Sequence, residues 1–415
     1  MQWSDEDFRA GPPSRRSDSE TRPTSRIRPP ATGAWREGDH PGNRQFASLG
    51  DFTFEQGGEV PLRVAYESWG ELNADRSNAV LICHALTGDT HVAGVAGPGQ
   101  SSAGWWPGMV GPGMPFDTDE LFVVAPNMLG GCQGTTGPAS ISPDGTEWGA
   151  RFPRTSIRDQ VRAQAALADH LGIRTFRAVV GGSMGGMQAL EWAIMYPERV
   201  GDLVVLCAPP AIDAMNIAQN TLQADAIRLD PAWRDGNYYD AGAGEGPYRG
   251  LALARRMAML NYRSDSELED RFGRSWQSSV SPAGGHGRYS VESYLDFHGN
   301  RFTRRFDANS YITLANAMSS HDVGRGRGGV DAGLAQVRAR TLVIGVDSDT
   351  LFRLDSQHRI AAGIPNSVTG PEAFTVHSQF GHDGFLLEIP AVGGAIRQFL
   401  EGASLAGTSF GDASR

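Results

Sequence analysis

The run Gly181-Gly182-Ser183-Met184-Gly185 reads G-x-S-x-G, the pattern of a turn that lifts a serine hydroxyl out of a strand and into the start of a helix. Strand and helix pass close together in such a turn. The residues two before and two after the serine must therefore be small, and Gly181 and Gly185 are. The bare pattern arises often by chance, and its plain alternative is a glycine-rich turn with a solvated serine. The flanks fit on both sides: apolar Ala178-Val-Val precedes it and helix-like Met187-Gln-Ala-Leu-Glu-Trp-Ala-Ile follows. A serine hydroxyl needs a base, and the base an orienting acid; behind a turn of this kind the chain order is serine, acid, histidine. Six histidines follow Ser183, namely His286, His298, His321, His358, His377 and His382. His382, in Phe380-Gly-His-Asp-Gly-Phe just past the last expected strand, occupies the loop such a base requires. Asp347 and Asp349 both follow the strand expected over 342–346, and spacing alone does not separate them. The oxyanion of an acyl-transfer step needs two backbone donors. One is the N–H of Met184; the other belongs to the loop after the strand 79–83, near Leu86, with Thr87 beside it as either a binding or a turn-capping residue.

These groups are far apart in the chain, so a sheet must gather them. Alternation predicts a half-buried strand over 59–69, and short apolar runs predict strands at 79–83, 121–125, 177–182, 202–208, 340–346 and 374–377. Helical spacing predicts helices over 156–170, with Ser156 as N-cap, and over 184–195, 355–362 and 391–400. Strands alternating with helices argue an α/β fold, a mostly parallel central sheet covered on both faces. Residues 211–323 lack short buried strands and carry helix-like stretches at 250–262 and 290–297, so they read as an inserted helical lid between core segments 46–210 and 324–405. Residues 1–45, rich in Arg, Pro, Ser and acids, read as a disordered tail.

Composition narrows the function. Forty per cent hydrophobic residues in 415 allow a large core. No apolar run reaches the roughly 18 residues of a membrane helix, and the net charge of −10 argues against phosphate neutralisation on a nucleic acid. Three cysteines, Cys83, Cys132 and Cys207, give neither a disulfide framework nor a metal pattern. The opening Met1-Gln-Trp-Ser-Asp-Glu-Asp has no basic and apolar leader, so a cytoplasmic protein is expected. Gly324-Arg-Gly-Arg-Gly-Gly does not follow a strand and open a helix, which excludes a dinucleotide fingerprint. Its Arg325 and Arg327 read either as contacts to an anionic substrate or as part of a structural turn.

Several longer motifs go further. His84-Ala-Leu-Thr-Gly-Asp, Asn127-Met-Leu-Gly-Gly-Cys-Gln-Gly-Thr-Thr-Gly-Pro, Gly181-Gly-Ser-Met-Gly-Gly-Met-Gln-Ala-Leu-Glu-Trp, Ser320-His-Asp-Val-Gly-Arg-Gly-Arg-Gly-Gly and Gly381-His-Asp-Gly-Phe-Leu occur in this order. Together they resemble the homoserine O-acetyltransferase family of α/β-hydrolase-fold acyltransferases, from about residue 46 to about residue 400. The resemblance implies a cytoplasmic, commonly homodimeric enzyme of methionine biosynthesis that moves the acetyl group of acetyl-CoA to the side-chain hydroxyl of L-homoserine, with no other cofactor. It maps the triad onto Ser183, Asp349 and His382, choosing Asp349 through Ser348-Asp349-Thr-Leu351. It places substrate contacts on Thr87, Arg255, Tyr262 and Asp383. One departure is Arg353, where the family often has proline. Alternatives that share the machinery are a homoserine O-succinyltransferase, a serine O-acyltransferase and a serine esterase or thioesterase.

Overall fold

Alternation inside the apolar runs decides which side of the sheet each side chain covers. A computed structural model describes residues 28–277 and 279–403. Its central sheet has eight strands: β1 (Gln45–Thr53), β2 (Glu59–Trp69), β3 (Ala79–Cys83), β4 (Phe122–Pro126), β5 (Phe176–Gly182), β6 (Val200–Leu206), β7 (Arg340–Val346) and β8 (Phe374–Val376). In β3, Ala79, Leu81 and Cys83 join one core while Val80 and Ile82 join the other; Val343 of β7 is likewise divided from Leu342 and Ile344. The first core is closed by α1 (Ile157–His170), α2 (Met184–Met195) and α9 (Leu354–Gly363), through Val161, Trp192 and Ile360. The second is closed by α10 (Ile389–Leu400), through Val392, Ile396 and Phe399, and by Trp106. Side chains sealed on both faces explain why the parallel strands are near-continuous apolar runs.

The strand order is β1-β2-β4-β3-β5-β6-β7-β8. β2 pairs antiparallel with β1 and β4, and the remaining neighbours are parallel. Register then positions the chemistry. Cys83 lies opposite Gly181, Gly182 opposite Leu206, Leu206 opposite Ile344, and Val346 opposite Val376. The loops after β3, β5, β7 and β8 therefore open at one edge, and they carry Leu86, Ser183, Asp349 and His382. Ser156 caps α1 as its position suggests. Its side chain accepts from the Asp159 N–H, and Asp159 answers the Ser156 N–H, a reciprocal box whose cap contributes about 1 kcal/mol.

Between β6 and β7 the chain leaves the sheet through α3 (Ala214–Arg228), α4 (Tyr248–Tyr262), α5 (Asp265–Phe272), α6 (Ser290–Phe302) and α7 (Ala308–Ser319), and the short α8 (Val330–Leu334) leads back to β7. The two ends of this excursion are stitched together. Ala211 bridges Asp322, the Ile212 N–H donates to the His321 carbonyl at 3.0 Å, and the Val323 N–H to that of Pro210 at 2.9 Å. A third core, with Leu251, Phe302, Phe306 and Tyr311, packs the excursion onto Leu86, Met184 and Met187 at the site edge. Among the described residues no helix is long and apolar enough to cross a membrane.

One expectation changes, and one open alternative is narrowed. Of the tail expected to be disordered through residue 45, residues 1–27 lie outside the described residues, but 28–44 pack onto the body. The Gly33 N–H donates to the Phe306 carbonyl at 3.1 Å and the Trp35 N–H to that of Cys132 at 2.9 Å, while the Thr32 hydroxyl donates to Asp307 at 2.7 Å. β1 then begins at Gln45. These partners are remote in the chain, so local composition does not reveal them. Arg325 and Arg327 belong to the structural reading of their loop: Arg325 forks onto Glu55 at 2.8 and 2.9 Å, and Arg327 onto buried Glu191 at 3.0 and 2.7 Å.

Candidate active site

The serine turn is as tight as its glycines suggest. Ser183 has φ 58° and ψ −125°, a left-handed backbone that costs a side-chain-bearing residue about 1–3 kcal/mol. A Cβ on Gly181 would lie 2.0 Å from the Gly185 carbonyl oxygen, and one on Gly185 would lie 2.0 Å from that of Cys83. No other residue type fits either place. The turn is held by the Ser183 N–H, which donates to the Leu206 carbonyl at 2.9 Å.

His382 and Asp349 meet in the interior. The imidazole Nδ1 donates to Asp349 Oδ2 at 2.7 Å. The other carboxylate oxygen, Oδ1, accepts from the Leu351 and Phe352 N–H groups at 2.8 and 2.9 Å. Phe352 and Phe385 stand edge-on to the imidazole, with ring centroids 5.3 and 5.5 Å away. Burial pulls the His382 pKa down. The Asp349 charge and hydrogen bond, with Asp383 adding to them, outweigh it, and the net direction is upward. Asp347, the other candidate acid, faces outward instead. It accepts from exposed His377 Nδ1 at 2.8 Å and from the Ser378 N–H at 3.0 Å. The described residues thus hold an Asp–His pair in the interior and another at the surface. Arg353 leads into α9 with φ −56°, an angle a proline would also hold.

Ser183 and His382 line one cavity of about 40 Å³, together with Leu86, Thr87, Trp105 and Tyr262. His382 is the one histidine in that lining. Its Nε2 is buried and makes no hydrogen bond, so the Ser183–His382 link is open in this state. The Leu86 and Met184 N–H groups have no protein acceptor among the described residues. The Thr87 carbonyl is held by Arg305 Nη1 at 2.8 Å.

Charged groups stand at and behind the cavity lining. Arg255 of α4 is only 3% exposed, its Nη1 makes no hydrogen bond, and no carboxylate pairs with it among the described residues. Its guanidinium lies over Tyr262 and Phe302, 5.3 and 5.1 Å from the ring centroids. Asp383, also lining the cavity, has Oδ2 3.3 Å from Arg263 Nη2. Arg263 in turn forks onto Glu267 at 3.0 and 3.2 Å. Of the residues singled out from the sequence, Leu86, Thr87, Ser183, Tyr262, His382 and Asp383 line the cavity, Asp349 stands behind His382, and Arg255 and Met184 lie outside that lining, Arg255 against the ring of Tyr262. Sequence reasoning missed Trp105, Arg263, Glu267 and Arg305. Arg263 and Glu267 have i, i+4 spacing, which ordinarily marks a solvated helix face, and only their burial reveals a different use.

Comparison with known proteins agrees with this geometry. The family model for the alpha/beta hydrolase fold matches residues 78–389. A homoserine O-acetyltransferase of Clavibacter michiganensis subsp. michiganensis is 64% identical over 375 residues, covering 90% of this chain and 96% of its own. One from Thermobifida fusca is 55% identical over 373 residues, covering 89% and 97%. The crystal structure of homoserine O-acetyltransferase from Bacillus anthracis superposes with a TM-score of 0.79 at 30% identity, covering 88% of this chain and 99% of that one. Esterase E22 superposes with a TM-score of 0.78 at 30% identity, covering 86% and 99%. With more than half of its residues shared with curated relatives along nearly their full lengths, and with an elbow serine and a buried Asp–His pair at one sheet edge, the chain belongs to the homoserine O-acetyltransferase family of α/β-hydrolase-fold enzymes.

Proposed function

We propose that the chain transfers the acetyl group of acetyl-CoA to the side-chain hydroxyl of L-homoserine, in two steps, through an acetyl ester on Ser183. The observation that carries this reading is Arg255, a buried guanidinium without a counter-ion among the described residues. A buried cation left unpaired is costly, and the carboxylate of an amino-acid substrate removes that cost while gaining a forked, charge-assisted contact. Asp383 supplies the complementary charge for the ammonium, and Thr87 and Tyr262 line the same cavity.

In the first step His382 Nε2 takes the proton of Ser183 Oγ, and Oγ attacks the thioester carbonyl. The Leu86 and Met184 N–H groups receive the oxyanion. The carbon–sulfur bond breaks, and the leaving thiolate takes the proton back from His382. In the second step His382 deprotonates the homoserine hydroxyl, which attacks the acetyl carbonyl, and Ser183 Oγ leaves with the returned proton. Hydrogen bonds between such a nucleophile and base tighten in the substrate complex, which accommodates the open Ser183–His382 link. The alcohol must outcompete water. Holding homoserine by both charges gives an effective molarity of about 10⁵ M or more, and the helical excursion keeps the cavity dry.

The cavity also supports acetyl over succinyl. Trp105, Phe385 and Leu386 make its lining apolar, and its one carboxylate is that of Asp383, which repels a second carboxylate. Exposed Leu222, Leu229, Leu253 and Leu260 on and beside α3 and α4 support the homodimer that the family resemblance implies, and a biosynthetic role of this kind is consistent with the cytoplasm. An esterase reading is favoured by the likeness to esterase E22; it gives no use for Arg255. Thiol release from acetyl-CoA, followed with and without homoserine, tests the two. Release that depends on the alcohol supports transfer, and equal release without it makes the enzyme a hydrolase.

Arg255→Ala is expected to lower kcat/KM for homoserine by about 100-fold, the scale for losing one side of a buried charged pair. The burst of thiol from acetyl-CoA alone should be unchanged. An unaltered KM for homoserine would remove Arg255 from the substrate site. The pH profile gives a second check. His382 accepts a proton only when neutral, and its pKa lies above the ordinary imidazole value of about 6.5. Acetylation of Ser183 should therefore be slow at pH 6 and rise through a limb above that value. Asp383→Asn removes one of the charges that raise it and should move the limb to lower pH.

A further inference from the structure

We infer that His84 is a positioning residue for the oxyanion site, holding the Leu86 N–H in place through the carbonyl of the same peptide unit. The inference rests on the reading of Leu86 as an oxyanion donor. His84 follows β3 directly, is 1% exposed, and lies outside the cavity lining. Its Nδ1 is 2.8 Å from the Ala85 carbonyl oxygen. A carbonyl only accepts, so Nδ1 carries the hydrogen. On the other side of the ring, Nε2 accepts from the Met128 N–H at 3.2 Å and faces the Asn127 side-chain amide at 3.1 Å. Both contacts require a bare Nε2, so the two sides of the ring agree on one neutral tautomer. Burial outweighs the opposing pull of the Ala85 carbonyl and Asp89 and lowers the His84 pKa to about 4, which keeps the ring neutral at working pH.

The consequence follows from peptide geometry. The C=O of Ala85 and the N–H of Leu86 belong to one planar trans unit and point in opposite directions. Fixing the carbonyl fixes the N–H. The Ala85 oxygen is gripped twice, by His84 Nδ1 and by the Gly88 N–H at 2.9 Å. Gly88 is itself pressed against His84, since a Cβ there would lie 2.8 Å from His84 Cβ and 3.1 Å from the ring Nδ1. With its carbonyl held from behind, the peptide presents the Leu86 N–H, which has no protein acceptor, on the side of the cavity that Leu86 lines. A donor aimed in advance stabilises the oxyanion without reorganisation.

A crossed pair of substitutions tests this. His84→Asn keeps a donor near the Nδ1 place and loses the Nε2 acceptor. His84→Gln keeps an acceptor toward Met128 and loses the Nδ1 donor. Each is assayed for thiol release from acetyl-CoA, for transfer to homoserine, and for inhibition by methylboronic acid, whose tetrahedral adduct on a serine mimics the acetyl-transfer intermediate. His84→Gln should lose roughly 10- to 100-fold in both half-reactions, below the full cost of deleting a donor, with KM for homoserine unchanged and methylboronic acid affinity falling in parallel. His84→Asn should stay within about threefold of the parent, an order that a role in merely holding the Met128 loop would reverse. Equal losses, or the reverse order, overturn the inference. Should both variants fail to fold, nitrogen NMR of the unaltered enzyme decides it: a His84 Nδ1–H supports the inference and an Nε2–H overturns it. If the unaltered enzyme transfers acetyl but methylboronic acid does not inhibit it, the oxyanion reading itself fails; if it is inhibited and His84→Gln is inhibited equally, only the role of His84 fails.

Discussion

Replacing Ser183 by alanine is expected to lower acetyl transfer by about 10⁴- to 10⁶-fold, the range seen when a serine nucleophile is removed from an intact site. Alanine keeps the Cβ and therefore the same strained backbone at φ 58°. It also keeps the packing of Gly181 and Gly185, so the melting temperature should move little. What disappears is the one oxygen displayed by the elbow. The acetyl-enzyme is the direct readout. The chain has 37 arginines and no lysine, so an acetyl group found on the intact protein after exposure to acetyl-CoA cannot be an ε-amide. An adduct that appears on the parent, disappears with homoserine and never forms on Ser183→Ala identifies the ester. Retained turnover in the variant would remove Ser183 as nucleophile.

The elements nearest the chemistry were the most legible in the sequence, for physical reasons. A parallel strand covered on both faces can only be apolar throughout, so β3, β5, β6 and β7 stand out. An elbow can only be flanked by small residues, so Ser183 does too. The hidden parts depend on partners far along the chain. β1 escapes because its register shifts between Ser48 and Asp51 and much of it is exposed. α3 escapes because few of its side chains are buried, among them polar Asn216, Asn220 and Gln223. The segment 28–44 has a disordered composition, yet it docks on Cys132 and Phe306 through backbone hydrogen bonds. At the site the same division holds. Spacing proposes both Asp347 and Asp349, 30 residues before His377 and 33 before His382. Each pair forms, and burial is what tells them apart.

That division makes Asp349→Asn against Asp347→Asn the sharpest comparison of the triad. Asp349→Asn is expected to reduce turnover by about 10⁴-fold, as loss of the orienting acid does elsewhere. Asp347→Asn, at an exposed Asp–His contact, should stay within about twofold of the parent, since such surface pairs contribute little. The structure dictates how the first substitution fails. Oδ1 of Asp349 accepts two backbone N–H groups, from Leu351 and Phe352. An asparagine must keep its oxygen toward them, which turns its NH₂ toward His382 Nδ1. Nδ1 then has to accept, the ring hydrogen moves to Nε2, and the nitrogen that should take the Ser183 proton already carries one. The fold is expected to survive, because the side chain is isosteric and the backbone contacts are kept. Raising the pH should not restore activity, because the defect is the tautomer and not the charge. Full activity in Asp349→Asn with loss in Asp347→Asn would move the acid to Asp347 and the base to His377, and with them the reacting centre from the interior to the surface.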